Sequence, residues 1–378
     1  MDRESLAKQR ALLTKTSLEL ILSHQHEKGA FVASPTFSQY GYSWLRDNTY
    51  NAYALLLNGY RTETKKYLQW VSGTVLKHRA VVDALPEKLK NPESITKNDF
   101  LGARYTVNGD EDTSDWPNFQ IDGYGSWLWL TAEFLKQTGC RAIPTEWMES
   151  IEIIIRYLTL VWNIPNSDCW EEHPDHIHPS TLACVSGGLN SIADYLQPKR
   201  QVEAEQLAKT IQTYLLAHRH PSGRFPKFIG SDSIDGSLLW LNVPYKTFPA
   251  DHPAIRETVK AIEKQILEKG GVKRYPEDTY YGGGQWIILS AWLAWYYIED
   301  NRPDDALPLL EWIILQKTDD GSLPEQILDR TNDPSMIRPW EERWGPVAAP
   351  LLWSHAMYLI LEYQVAQYYT IQKEKNHE

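Results

Sequence analysis

Two glutamates, Glu171 and Glu325, are the residues of this chain best placed to do chemistry. Glu171 lies in Cys-Trp-Glu-Glu-His (169–173) and Glu325 in Gly-Ser-Leu-Pro-Glu-Gln (321–326), so both lie beside turn-forming residues and not within a solvated helix face. Two carboxyl groups flanking a glycosidic bond are the minimum equipment for its hydrolysis, because one protonates the leaving oxygen and the other activates water. We therefore take this pair as a candidate acid and base.

The composition indicates an acidic globular protein rich in large aromatic side chains. The 378 residues carry a formal net charge of -11, which argues against nucleic acid and anionic membranes as partners. A neutral sugar fits this charge. Most of the 16 Trp and 21 Tyr must lie in the core, yet some remain available to stack on sugar rings in a groove.

Cysteine content and the N-terminal residues both indicate a cytoplasmic protein. Three cysteines, Cys140, Cys169 and Cys184, argue against a disulfide framework and for a reducing compartment. The first residues alternate in charge and lack the apolar segment of a signal peptide. The longest apolar run, 286–298, is shorter than the roughly 20 residues that span a bilayer.

Apolar residues recur at helical spacing in about twelve stretches, whereas the alternation typical of strands is scarce. The helical stretches lie near 3–25, 45–59, 62–78, 122–139, 144–162, 179–196, 198–217, 234–243, 251–268, 284–299, 303–317 and 349–372. Residues 29–43 carry a signal for a short hairpin. Because no Pro-, Gly- or Ser-rich linker divides the chain, we expect a single domain over residues 1–378.

A weak internal repeat suggests how these helices are arranged. The segments 125–132 and 284–291 share the pattern G-x-W-x-x-L-x-A, and 41–47 is a looser relative. Helices that are apolar on nearly all sides are buried, so their alternation with amphipathic helices predicts an inner ring wrapped by an outer ring. Twelve helices paired in this way form an all-α (α/α)6 barrel with few short strands. Loops at one end would converge on a central pocket.

The polar motifs allow more than one interpretation. Arg46-Asp47 suits a helix start, where the dipole favours Asp, and equally suits hydrogen bonding to sugar hydroxyls. The acidic run 110–112 is typical of a solvated loop, and its spacing does not match an EF-hand. The histidines at 173, 176 and 178 invite a metal site, but nearby prolines mark a loop and no second cluster fits. We expect no metal.

Two further motifs lie in the second half of the chain. The run 274–286 is the densest polar and aromatic stretch, and its glycines lack the Lys-Ser/Thr of a phosphate-binding loop. A second Trp-Glu-Glu at 340–342 shows that the one at 170–172 can arise by coincidence. These motifs gain meaning only as an ordered set.

As an ordered set, the motifs resemble glycoside hydrolase family 15, the glucoamylase family, from about Tyr40 to about Glu362. The anchors are Tyr40-Gly-Tyr-Ser-Trp-Leu-Arg-Asp47, Trp116…Gln120-x-Asp122-Gly, Trp170-Glu-Glu172, Arg274-Tyr-Pro-Glu-Asp-Thr-Tyr-Tyr281, Pro324-Glu-Gln326 and Trp353-Ser-His-Ala356. The string from Arg274 to Tyr281 is the most specific of them.

The resemblance implies an (α/α)6 barrel and inverting, exo-acting release of β-glucose from the non-reducing ends of maltooligosaccharides or α-glucan, without an organic cofactor. It assigns Glu171 as general acid and Glu325 as general base. It further implies these substrate-binding residues: Arg46 and Asp47 on the innermost glucose, Trp116 closing over the substrate, Glu172 and Arg274 on the leaving sugar, and Tyr40, Trp44, Gln326 and Trp353 in the pocket.

Departures from the family pattern leave the substrate open. The chain has no room for the N-terminal β-sandwich domain of bacterial-type members, and 329–350 replaces a short link, so it is expected to add a lid or alter the leaving-side subsites. A trehalase and an α-1,6-glucosidase remain alternatives. A non-catalytic glucan sensor is another, because 44–50 resembles the opening motif of phosphorylase kinase regulatory subunits. Hydrolysis requires Glu171 and Glu325 to share one pocket. The sequence does not predict the oligomeric state.

Overall fold

A computed structural model describes residues 3–375, which contain thirteen α-helices and six short strands. The helices are α1 (Arg3–Ser23), α2 (Leu45–Leu57), α3 (Arg61–Lys77), α4 (Arg79–Lys88), α5 (Asp122–Thr138), α6 (Thr145–Val161), α7 (Pro179–Ala193), α8 (Pro198–Ala217), α9 (Pro253–Gln265), α10 (Ile287–Glu299), α11 (Pro303–Leu315), α12 (Ile337–Trp344) and α13 (Leu352–Lys375). The strands are β1 (Ser43–Trp44), β2 (Arg104–Tyr105), β3 (Leu267–Glu268), β4 (Gly271–Lys273), β5 (Gln285–Trp286) and β6 (Gln326–Ile327).

Six elements form a closed inner ring. In order they are α2, α5, α7, the 3₁₀ segment Gly236–Leu241, α10 and α13, and each packs on the next until α13 returns to α2. In α10 every residue from Ile287 to Ile298 is buried, and in α13 every residue from Leu352 to Leu361 is buried. Despite this, no helix within residues 3–375 is long and apolar enough to cross a membrane.

Six further helices cover the ring from outside. Helices α3, α6, α8 and α11 pack on α2, α5, α7 and α10, while α9 packs on the 3₁₀ segment and α1 on α13. Outer helices bury only one face; α8, for example, buries Ala204, Ala208, Ile211 and Leu215. The arrangement is an (α/α)6 barrel, so the expected fold class is confirmed.

Three local expectations differ from the structure. The stretch 234–243 forms only the short 3₁₀ segment, begun by Asp235, whose carboxylate accepts the Ser237 N–H. Helices α4 and α12 were not expected, because both are short and contain a proline. The hairpin expected over 29–43 is absent, because the chain turns into a 3₁₀ turn at Ser38–Tyr40 and β1 pairs instead with β2.

Glycines bring α5 and α7 into unusually close contact. A Cβ added at Gly188 would lie 2.1 Å from the Gly125 carbonyl oxygen, and one added at Gly125 would lie 2.4 Å from the Cys184 carbonyl oxygen. The two backbones therefore touch where these helices cross. Gly125 opens the first copy of the repeat, so packing explains the glycine at this position.

A small antiparallel sheet anchors the loop that carries Glu325. The strand order is β3-β4-β5-β6, with Trp286 opposite Gln326. Strand β6 begins directly after Glu325, whose N–H donates to the Ala348 carbonyl. Backbone pairing on both sides therefore holds Glu325 at the edge of this sheet, next to the start of α10.

Candidate active site

A cavity of about 370 Å³ opens at the end of the barrel where α2, α10 and α13 begin. Its lining includes nearly all of the site residues predicted from the sequence, although they are far apart along the chain. The predicted residues that line it are Tyr40, Trp44, Arg46, Asp47, Trp116, Glu171, Glu172, Arg274, Glu325 and Trp353.

The structure does not place Gln326 among the residues that line this cavity. Its side-chain oxygen instead accepts the Gly284 N–H at 3.0 Å, within the loop before β5. Its side-chain Nε2 is buried and has no hydrogen-bond partner within residues 3–375. The Gln326 oxygen thus has a structural contact, and its expected role in the pocket stays a prediction.

Arg46 and Asp47 form the buried floor of the cavity in the first turn of α2. The Arg46 guanidinium donates to Gln120 at 2.7 Å and to Asp122 at 2.9 Å, and its Nε lies 3.4 Å from Asp47 Oδ1. Burial raises the pKa of Asp47 to about 7, although the Arg46 charge opposes this shift. Trp353 completes the floor, with its ring 5.8 Å from the Arg46 guanidinium carbon.

Several buried polar atoms of the lining residues have no hydrogen-bond partner within residues 3–375. They are Glu325 Oε2, Trp116 Nε1, Trp286 Nε1 and Trp353 Nε1, together with Arg46 Nε and Asp47 Oδ1, which are ion-paired at 3.4 Å but make no hydrogen bond. Buried polar groups normally have partners, so the free Glu325 Oε2 at the cavity wall is placed to accept a hydrogen bond from a ligand. A sugar with its ring of hydroxyl groups matches this requirement.

Glu171 is held in a tight turn at one side of the cavity. Asp168 Oδ1 accepts the N–H groups of Trp170 and Glu172, both at 2.9 Å, and this turn holds Glu171 at a φ of 68°. Such a positive φ is uncommon for a residue other than glycine and persists only where its surroundings impose it. The Glu171 carboxylate accepts the Trp44 indole N–H at 2.6 Å.

Glu325 is fully enclosed, with its two oxygens in different environments. Oε1 accepts the Tyr40 hydroxyl at 2.7 Å, and the Tyr40 and Tyr280 hydroxyls lie 3.1 Å apart. Burial raises the pKa of Glu325 to about 7, opposed by the Tyr40 hydrogen bond and the Arg274 charge. Oε2 is left to accept a proton or a hydrogen bond from a small molecule such as water.

A dense polar network surrounds Glu172 and Arg274. Arg274 Nη2 lies 3.3 Å from Glu172 Oε1, and the same guanidinium makes a two-fold contact with buried Asp278. The Tyr275 hydroxyl donates to Glu172 Oε2 at 2.6 Å. Behind them, buried Lys227 lies 3.9 Å from Glu172 Oε2 and 3.1 Å from the centre of the Tyr275 ring. Both predicted leaving-side residues are thereby fixed in orientation.

Sequence reasoning missed several residues of this site. Tyr275, Asp278 and Tyr280 lie in the run 274–286, so the signal was present but was not resolved into single residues. Arg104 lies in no motif, yet its guanidinium carbon is 3.8 Å from the centre of the Trp116 ring. Long-range packing, which no local pattern reports, brings it there.

The acidic run and the histidines have structural roles. Asp112 is a buried partner of Arg104, with a 2.7 Å hydrogen bond, and so differs from the solvated residue that was expected. His173, His176 and His178 gather around the Phe228 ring. Across residues 3–375 there is no group of three His, Cys, Asp or Glu side chains arranged to hold a metal.

The pocket at the end of this (α/α)6 barrel contains two carboxylates, an arginine-carboxylate floor and aromatic walls. These features together define a glycoside hydrolase. The chain belongs to the glycosyl hydrolases family 15, whose family model matches residues 7–363. Both candidate carboxylates line the same pocket, which hydrolysis requires and the sensor hypothesis does not.

Two named relatives and one solved structure match most of this chain. An isomaltose glucohydrolase of Kribbella flavida is 36% identical over 96% of this chain and 94% of its own length. A trehalase of Thermoplasma volcanium is 23% identical over 85% of this chain but only 55% of its own length. A solved structure of a wild-type glycosidase is 36% identical, with a TM-score of 0.92 over 97% of this chain and 99% of its own.

More distant structures share the fold alone. A bacterial glucoamylase complexed with acarbose has a TM-score of 0.73 at 18% identity. The match covers 94% of this chain and 55% of that protein. The barrel is thus common to members that differ widely in sequence.

Proposed function

We propose that the protein is an inverting, exo-acting α-glucosidase that releases β-glucose from the non-reducing end of short α-glucosides, with the α-1,6 bond of isomaltose as its preferred linkage. The observation that carries this proposal is the placement of Glu171 and Glu325 in one pocket, on separate loops, each fixed by an aromatic donor. The linkage rests on similarity to the isomaltose glucohydrolase over nearly the full length of both chains.

In the proposed reaction, Arg46 and Asp47 bind hydroxyls of the terminal glucose at the closed end of the pocket. Glu171 protonates the glycosidic oxygen as the bond breaks, and the transition state has the character of an oxocarbenium ion. Glu325 Oε2 takes a proton from the water that attacks the anomeric carbon from the opposite face, so the configuration inverts. Glu172 and Arg274 bind the departing sugar.

A trehalase is the second candidate. Relatives named trehalases, such as that of Thermoplasma volcanium, match most of this chain at lower identity. Trehalose and isomaltose both present a non-reducing α-glucosyl unit, so the closed end of the pocket accepts either, and the leaving side must decide between them. The α-1,4 activity predicted from the sequence is a third arm of the same test.

The experiment is to measure glucose release from isomaltose, trehalose and maltose in parallel, with NMR of the anomer that forms first. We expect isomaltose to give the highest kcat/KM and β-glucose to appear first. Preference for trehalose or maltose would keep the mechanism and replace the linkage. α-Glucose as the first product, or activity retained in Glu325→Gln, would contradict the assigned mechanism.

A further inference from the structure

We propose that α12 forms the outer wall of the leaving-side subsite and restricts the enzyme to disaccharides, so that one sugar only follows the scissile bond. This inference rests on the proposed glucosidase function. It assigns Trp340, Arg343 and Trp344 of α12 as specificity-determining residues. No sequence motif that we associated with catalysis includes them.

Burial orders the pocket from its closed end to its mouth. Asp47 and Trp353 at the floor are 7% and 4% exposed, so they bind the innermost sugar. Trp340 and Trp344 are half-buried and Arg343 is exposed, although all three line the same cavity. The α12 residues therefore lie at the mouth, where the leaving sugar and any sugar beyond it must pass.

Two tryptophans pack against each other at this mouth. The rings of Trp116 and Trp344 are 6.4 Å apart between centroids and inclined by 28°. Trp116 cannot withdraw easily, because the Arg104 guanidinium is packed against its ring and is itself paired with buried Asp112. Trp116 and Trp344 thus form one continuous aromatic wall, which Arg104 fixes on one side and α12 supplies on the other.

Helix α12 does not contribute to the core, since none of its residues is buried. It is instead attached to the pocket wall: the Trp340 indole N–H donates to the Thr279 carbonyl at 3.0 Å, and the Tyr281 hydroxyl donates to the Gly345 carbonyl at 2.8 Å. An eight-residue helix with two tryptophans and no core function has aromatic surface available for a sugar ring.

Arg343 adds polar recognition at the same place. Its guanidinium carbon lies 5.4 Å and 4.9 Å from the rings of Trp340 and Trp344, and no ion pair joins it to any carboxylate of residues 3–375. A guanidinium carries five N–H donors, which are suited to the hydroxyls of the leaving sugar. The cavity of about 370 Å³ is near the lower end of the range of about 300–1,000 Å³ for ligand sites, as a disaccharide requires.

The test compares a disaccharide and a trisaccharide of the same linkage, isomaltose and isomaltotriose, in the parent enzyme and in Trp344→Ala. We expect the parent to prefer isomaltose in kcat/KM by roughly tenfold or more, as a single apolar contact can discriminate. In Trp344→Ala that preference should fall to near unity. Arg343→Met should raise KM for isomaltose several-fold with little change in kcat, because it removes leaving-sugar binding and no catalytic group.

Trp162→Ala is the matched control, because Trp162 is also half-buried but packs on Tyr214 away from the pocket. It should leave the preference unchanged. If the parent hydrolyses both sugars equally well, the restriction is wrong while the proposed function stands. If neither sugar is hydrolysed, the proposed function itself fails. Should Trp344→Ala not fold, an unchanged KM in Arg343→Met would overturn the proposal.

Discussion

The rings of Tyr40 and Trp44 meet edge to face, with centroids 5.7 Å apart, and each donates a hydrogen bond to a different candidate catalytic carboxylate. Tyr40 bonds Glu325 and Trp44 bonds Glu171. Both residues lie in the short segment 40–44 directly before α2. A single segment therefore orients both carboxylates. Changes at this segment should therefore affect the acid and the base separately and predictably.

Tyr40→Phe should move the acidic limb of the pH profile upward. A general base must be ionised, so activity is lost as the pH falls through the pKa of Glu325, about 7. The Tyr40 hydroxyl lowers that pKa, and hydrogen bonds to charged groups are worth about 1.5–3 kcal/mol, so its removal should shift the limb by about one to two pH units. The measurement is kcat/KM against pH.

Tyr280→Phe is the control for that shift. Its hydroxyl also lowers the pKa of Glu325, but as a smaller contribution than that of Tyr40. The limb should thus move in the same direction by less. A larger movement in Tyr280→Phe than in Tyr40→Phe would contradict the hydrogen-bond arrangement.

Glu171→Gln should reduce the hydrolysis of a natural disaccharide by about 10²–10⁴-fold, the usual contribution of a general acid. A substrate with a leaving group that needs no protonation, such as α-glucosyl fluoride, should lose much less. The comparison variant is Glu325→Gln, in which the water lacks its base and both substrates should be slow. Equal losses on both substrates in Glu171→Gln would remove its assignment as the acid.

Glu325→Gln should stabilise the fold more at pH 8 than at pH 5. Because burial raises the folded-state pKa of Glu325 from 4.5 to about 7, its contribution to stability is full below the unfolded pKa and is lost as the pH rises through 7. Replacing Glu325 with Gln removes the free-energy cost of holding a buried carboxylate ionised at high pH, which is a few kcal/mol at most. Denaturant unfolding of both forms at the two pH values measures the effect, and a difference independent of pH would refute it.

Gly188→Ala should destabilise the barrel severely, because its Cβ would lie 2.1 Å from the Gly125 carbonyl oxygen in the neighbouring helix. Forcing extra atoms into a packed site costs about 1–3 kcal/mol or more, and here backbone must move. Gly73→Ala is the matched control: Gly73 is an exposed position within α3 with no atom within 4 Å of the added Cβ. That change should be neutral or stabilising by about 0.5–1 kcal/mol, as thermal unfolding would show.

The barrel was predictable from the sequence because burial of the inner helices leaves a strong mark. A helix such as α10, apolar on all sides, has few alternatives to an enclosed position. The fourth inner element was overestimated, since the pattern of 234–243 reports burial and does not distinguish an α-helix from a 3₁₀ segment. Short helices that contain proline, such as α12, leave too little periodicity to be found.

The site was predictable where its residues lie in motifs, as with Arg46 and Glu171. Its supporting charges were not. Lys227 and Arg104 are single cations without a local pattern, and only the fold brings them against Glu172 and Trp116. Gln326 was expected in the pocket from its position beside Glu325, but adjacency in sequence does not bring its side chain into the cavity lining.

The positions at which α2, α10 and α13 begin have an electrostatic consequence. The first turn of a helix presents unpaired backbone N–H groups, equivalent to roughly half a positive charge. Three inner helices begin at residues that line the pocket, so their backbone dipoles converge on a cavity rich in carboxylates. This positive field comes from peptide groups and not from side chains. No single substitution can remove this field. Side chains of the pocket, and hence the sugar that it binds, can therefore change while the field that stabilises its carboxylates persists.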